Sequence, residues 1–224
     1  MADNGPLLEI ACFSYESACI AAMAGADRIE FCADYKGGGL TPSLEDLLKI
    51  KKNVRQPVFV MIRPRGGSFT YNEAEFEQMK KEIVQIKELG FEGVVFGILN
   101  EKNEIDIEKN KLLVELANPM EVTFHRAFDL LNDQFRGLDE LISIGVKRVL
   151  TSGNKKTAVE GKDQLKKLVE YSKGRITIIA GGGVRSGNVN ELLECGVREV
   201  HSSGILEGEI GDANEIKNLR NQLK

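Results

Sequence analysis

The sequence predicts an α/β chain that closes into a TIM-type (β/α)8 barrel, with residues 1–224 forming one domain, and three observations lead there. Eight short segments rich in β-branched residues alternate with segments of helical character. Four stretches, AGADRIEF (24–31), LGFEGVVF (89–96), IGVKRVLT (144–151) and CGVREVHS (195–202), repeat one unit: a helix-ending glycine, a short turn and a strand. The units recur at a near-regular spacing of about 25 to 30 residues, which favours a closed parallel barrel. An open doubly wound sheet is the alternative, because periodicity does not show closure.

PLLEIACFS (6–14) is the first strand, and the small-residue helix YESACIAAMAG (15–25) follows with Ser14 as its cap. DRIEFCA (27–33) is the second strand. Its exit loop, DYKGGGLTPS (34–43), carries a glycine triplet before the helix LEDLLKIKKNV (44–54). QPVFVMIRPRGGSF (56–69) is a strand that runs into a basic turn, which Pro64 stiffens and Gly66–Gly67 loosens. In helix 72–90, Phe76, Met79, Ile83, Ile86 and Leu89 recur at three or four residues, giving an apolar stripe. Strand 91–99, helix 107–117, strand MEVTFHRAFD (120–129), helix 134–145, strand 146–153 and the helical segment 156–174 continue the alternation. ITII (176–179) then runs into AGGGVRSGN (180–188), VNELLECG (189–196) reads as a helix and VREVHSSG (197–204) as the last strand. The final helix, within 213–224, is polar and expected to be irregular.

A formal net charge of −4 gives no general attraction to nucleic acid or an anionic membrane, so neither is expected as a partner. The apolar runs are of strand length and no secretory pattern is apparent, which makes the cytoplasm the expected compartment. Cys12, Cys19, Cys32 and Cys195 form no CxxC or zinc pattern and read as reduced thiols.

In a barrel, ligands meet the C-terminal mouth, so polar residues at strand exits are the candidates. Alternation puts Arg28, Glu30 and Cys32 on one face of strand two, and Phe59, Met61 and Arg63 on one face of strand three. Glu9 and Glu30 stand within apolar strands, where a carboxylate has to be paired or protonated, and a charge network with Arg63 is expected. His125 and His201 are the chain's only histidines, and both fall at strand exits as candidates for proton transfer near neutral pH. Asp129 is read as a helix cap or as a partner for a nearby base. The Gly181–Gly182–Gly183 turn, with Ser152, His201 and Ser202, is expected to face an anion, and Arg63 or Arg65 to neutralise it. This set predicts lyase or isomerase chemistry on a small phosphorylated or otherwise anionic metabolite, with Glu30, Arg63, His125 and Asp129 catalytic and no nucleotide or redox cofactor. A rival is a Cu(I) site, since soft Cu(I) selects thiolate and thioether ligands and Cys12, Cys32 and Met61 lie on three successive strands. Cys12 has the opposite parity to Glu9, however, which turns it toward the helices. A non-catalytic interaction protein is the third alternative.

The stretches ESACIAAMAGADRIEFCA (16–33), GGLTPS (38–43), VMIRPRGGSFTY (60–71), VTFHRAFD (122–129), RVLTSG (148–153) and VREVHSSG (197–204) resemble the CutC copper homeostasis family across almost the whole chain. The resemblance implies a TIM-type barrel, a cytoplasmic homodimer and a link to copper. Residues of the family's polar cavity match at Glu9, Glu30, Arg63, His125, Arg126, Asp129, Ser152 and His201. Cys32 matches one of the family's cysteines, whereas Ala11 stands where the strand-one cysteine is expected, which weakens a two-cysteine copper site.

Overall fold

The computed structural model describes residues 5–224. In chain order the elements are β1 (Leu7–Cys12), α1 (Tyr15–Ala24), β2 (Arg28–Phe31), α2 (Leu44–Asn53), β3 (Val58–Met61), α3 (Glu73–Glu88), β4 (Gly93–Phe96) and α4 (Ile107–Ala117). They continue with β5 (Glu121–Phe124), α5 (Gln134–Ser143), β6 (Arg148–Thr151), α6 (Lys162–Ser172), β7 (Thr177–Gly181), α7 (Val189–Leu193), β8 (Glu199–Ser202) and α8 (Ala213–Gln222). Strands pair in parallel in sequence order, and β8 closes on β1 with Glu9 opposite His201. The barrel predicted from spacing is therefore the one formed.

Side chains at the expected positions begin the helices. Ser14 and Ser43 cap α1 and α2, and Asn72 with Glu75 makes a reciprocal capping box on α3. Leu8, Ile10 and Cys12 of β1, Ile29 and Phe31 of β2, and Val58 and Val60 of β3 pack outward with Phe76, Met79, Ile83 and Ile86 of α3 in the main apolar core. That core lies between the sheet and the helix ring.

Alternation sends the other residues of each strand inward. Here the filling is not the usual apolar one. A small apolar cluster of Cys32, Phe59, Met61 and Val95 occupies one side. Beside it runs a column of ion pairs: Arg28 binds both Glu9 and Glu199, and Arg148 reaches Glu199 and Glu121. The Phe59 ring packs against both guanidiniums, 4.9 Å from that of Arg28 and 5.0 Å from that of Arg148, so ring and cations attract each other. Gly93 on β4 makes room for that ring, since a Cβ there would stand 2.5 Å from it.

The strands are shorter than expected, and other details differ as well. The fifth strand stops at Phe124, and Arg126–Leu130 forms a 3-10 turn begun by the His125 ring, whose Nδ1 accepts the Ala127 N–H at 3.3 Å. Helix α6 starts at Lys162, after a run of turns. The final helix is regular, not irregular: Asp212 caps α8, while buried Glu215 accepts Ser186 N–H and Oγ–H at 2.7 Å and ties α8 to the loop after β7. The irregularity falls one unit earlier, in five-residue α7.

Candidate functional site

The inward ends of β1, β2 and β8 bring three predicted residues together. Glu9, Glu30 and His201 each offer a ligand atom, and those atoms lie within 4.8 Å of one another. Glu9 is fully buried: Oε2 is held by Arg28 and Oε1 lies 2.7 Å from Nδ1 of His201. Oε2 of Glu30 has no hydrogen-bond partner and stands 3.9 Å from the same Nδ1. Cys32 adds its thiol, 3.3 Å from Oε1 of Glu30.

Burial and charge set the protonation of this group. Burial alone would raise Glu9, but Arg28 and His201 outweigh it and bring the pKa down to about 2. Glu30 is pushed up by burial, with the Glu9 charge adding to it and His201 opposing. Burial works against a charged His201, yet the Glu30 carboxylate and the Glu9 hydrogen bond prevail and raise its pKa. Burial and then the Glu30 charge push the Cys32 thiol well up.

Arg63 does not join that network. Its Nη1 donates to the carbonyls of Gly37, Gly38 and Gly39 at 3.1, 3.1 and 3.3 Å, and its Nη2 to Gly67 at 3.1 Å. The cation facing Glu9 is instead Arg28, its register partner on β2. Parity had placed Arg28 on the face of Glu30; the pairing of β1 with β2 was the missing information. Arg65 turns away to Glu75, at 2.6 Å, and to the Ser68 and Thr70 carbonyls, so it is not poised at the mouth.

His125 is buried beside Phe69, with ring centroids 4.6 Å apart. Burial, reinforced by the Arg63 charge, lowers its pKa to about 3. The expected proton transfer near neutral pH is therefore corrected for His125: its imidazole stays neutral there.

Asp129, Ser152 and the glycine turn form another part of the rim. Asp129 accepts from Thr151 Oγ1 at 2.5 Å, Ser152 N at 3.1 Å, Asn154 N at 3.3 Å and Arg126 Nε at 2.8 Å. A carboxylate so fully engaged works as a clamp for the loop after β6 and not as a free base. Arg126, turned onto the rim because β5 ends early, also donates to Ser152 Oγ at 2.8 Å. Its Nη1 is 3.3 Å from where a Cβ on Gly182 would sit. Gly182 and Gly183 have φ of +106° and +70°, which glycine alone adopts freely, and a Cβ on Gly181 would meet Leu150 at 2.5 Å.

Two other candidates face outward. Ser202 donates to the Val184 carbonyl at 2.7 Å and accepts from Arg185, so it braces the loops after β7 and β8. Cys12 lies in the layer under the helices, where burial pushes its thiol up to about 12. The Cys12 and Cys32 thiols thus belong to different cores, and a two-thiolate Cu(I) site built on them is corrected: the pleat separates them.

The donor set at Glu9, Glu30 and His201 is two carboxylates and an imidazole. Such a set suits divalent ions, including Cu(II), better than soft Cu(I). The orphaned oxygen of Glu30 fits the same ion, because a cation would satisfy it. Among the described residues, no helix is long and apolar enough to cross a membrane.

Known proteins share this architecture. The solved CutC structure from Streptococcus agalactiae matches with a TM-score of 0.83 and 32% identity, over 88% of this chain and 98% of that one. An aldolase, QR15, is 20% identical with a TM-score of 0.68, a likeness of fold alone. A CutC family protein of Photorhabdus laumondii is 48% identical over 196 residues, 88% of this chain and 79% of its own length. The copper homeostasis protein cutC homolog of Homo sapiens is 46% identical over 203 residues, 90% of this chain and 74% of its own. The model of the CutC family matches residues 6–206, and with these identities it shows that the chain belongs to the CutC family.

Proposed function

We propose that this chain serves copper homeostasis by holding the ion, as divalent cargo, between Glu9, Glu30 and His201. The observation that carries the reading is Oε2 of Glu30, a buried carboxylate oxygen without a partner that converges with two other ligand atoms. The human relative's name supports copper as the ion. The N,O donors favour Cu(II), whereas Cu(I) would find the Met61 thioether and Cys32, whose thiolate is disfavoured beside Glu30. Binding would displace the proton between His201 and Glu9, so affinity should rise with pH. The same reading takes the protein as a cytoplasmic homodimer.

Isothermal titration with Cu(II), and with Cu(I) under anaerobic conditions, tests it. Glu30→Gln should weaken Cu(II) at least tenfold, equivalent to about 1.4 kcal/mol, while Cys32→Ser leaves it unchanged. Cu(II) binding indifferent to Glu30→Gln and His201→Gln would sink the reading. So would Cu(I) binding that Cys32→Ser abolishes and Glu30→Gln spares.

A second reading rests on a different feature of the same residues. Glu9, itself anchored by Arg28, fixes the His201 ring through Nδ1, which leaves Nε2 as a positioned acid or base for a small anionic metabolite. Turnover of a metabolite by metal-free protein that His201→Gln abolishes would favour this lyase or isomerase alternative over cargo binding.

A further inference from the structure

Three polar groups near the exits of β3 and β5 are buried without a protein hydrogen-bond partner: Nε of Arg63, Nε2 of His125 and the hydroxyl of Tyr71. Their residues are 7%, 4% and 4% exposed. One aromatic ring gathers two of them, since Phe69 lies 4.6 Å from the His125 ring and 4.8 Å from the Arg63 guanidinium. The Tyr71 hydroxyl lies close enough to that guanidinium to feel its charge, yet it is not in hydrogen-bond geometry with it or with any other protein group.

Their surroundings fix what each group presents. The Ala127 N–H donates to Nδ1 of His125, so a neutral ring carries its proton on Nε2. The terminal nitrogens of Arg63 are held by the carbonyls of Gly37, Gly38, Gly39 and Gly67, which leaves Nε–H. Two N–H donors and a hydroxyl therefore share one neighbourhood and lack an acceptor. Buried donors in native proteins are almost always satisfied, so three unpaired together mark a place for an acceptor brought from outside.

We propose that Arg63, His125 and Tyr71 bind the carboxylate end of a small monoanionic organic acid beneath Phe69. The acceptor must be an oxygen anion, because the groups supply donors around one net positive charge, that of Arg63: Arg65, 5.2 Å from the Tyr71 ring, is paired with Glu75 at 2.6 Å. A carboxylate matches that single charge, whereas a phosphate dianion exceeds it. Access is through the 64–70 loop, where Phe69 is half-buried and exposed Gly67, at φ +82°, has open space beside it. The site uses none of Glu9, Glu30 or His201 and so goes beyond the metal reading.

Thermal unfolding of the full chain in acetate, formate or inorganic phosphate, with chloride as the ionic-strength control, tests the assignment. Acetate and formate should raise Tm saturably, by about 5 to 10 °C at a hundredfold excess over Kd. Phosphate should bind at least tenfold more weakly. His125→Phe, which keeps a ring against Phe69, and Tyr71→Phe, which removes only an oxygen, should each weaken acetate at least tenfold. Glu30→Gln should leave acetate binding within twofold, which separates failure here from failure of the metal site. No saturable carboxylate shift, phosphate binding as tight as acetate, or an unchanged Kd in Tyr71→Phe would overturn the proposal. If His125→Phe does not fold, Tyr71→Phe supplies the same discrimination, together with the Nε2–H signal of His125 followed by 15N NMR during the acetate titration.

Discussion

Acid should destabilise this fold through His125 as soon as the pH falls below 6.5. The folded imidazole holds a pKa of about 3, against an ordinary value of 6.5, because it is buried and faces the Arg63 cation. As pH falls below 6.5 the unfolded chain takes up a proton at this residue and the folded one does not, so stability is lost across the window from 6.5 to 3. At 1.36 kcal/mol for each pH unit, the drop from 6.5 to 4 costs about 3 kcal/mol, a large share of an ordinary stability of about 5 to 15 kcal/mol. Glu30 and His201 act in the opposite sense, since their pKa values are raised and each gains stability as pH falls toward its unfolded value. Glu9 enters only below 4.5, where its depressed pKa also makes acid destabilising. Urea unfolding at pH 7, 6, 5 and 4 measures the sum, and His125→Phe isolates the histidine. The wild type should lose stability faster than the variant by about 3 kcal/mol between pH 6.5 and 4. Parallel curves, or a folded-state His125 titrating above pH 6 by NMR, would refute the account of its burial.

Two further predictions concern the barrel interior. Gly93→Ala would set a methyl 2.5 Å from a Phe59 ring that packs against two guanidiniums, so a loss of about 1 to 3 kcal/mol should appear as a lower urea midpoint with an unchanged m-value. Arg28→Met leaves Glu9 buried without its cation and should cost about 3 to 5 kcal/mol by the same measurement, more at pH 7 than at pH 3, where Glu9 nears protonation.

How far the sequence could be read depended on the range of the interaction involved. Strand faces follow from alternation, so the inward aim of Glu30, Cys32 and Met61, and the outward aim of Cys12, were legible. Glu9 beside β8 was legible once the units were placed in a closed barrel. The partner of Glu9 was not: Arg28 reaches it through the register of β1 on β2, and Arg63 is drawn off by four loop carbonyls that no local pattern announces. The early end of β5 was hidden for a related reason. A histidine ring accepting its own neighbour's N–H ends the strand, and TFHRAFD reads equally well as extended chain. Asp129 drew notice as a polar residue at an exit, but its engagement with Thr151, Ser152 and Asn154 depends on groups more than 20 residues away.

The column of ion pairs along the barrel has an electrical meaning for its mouth. Glu121, Arg148, Glu199, Arg28 and Glu9 form a continuous chain from the half-exposed floor to the buried end beside His201. Three carboxylates against two guanidiniums leave one negative charge without a partner within the chain. Arg28 and Arg148 are each shared between two carboxylates, so no carboxylate of the column has a cation to itself. The mouth therefore meets a positive species, whether a proton on His201 or a metal ion, with a standing countercharge that reaches to the opposite face. Salt that loosens Glu121 from Arg148 at the floor would be felt at Glu9, so ionic strength at one end of the barrel should tune cation retention at the other.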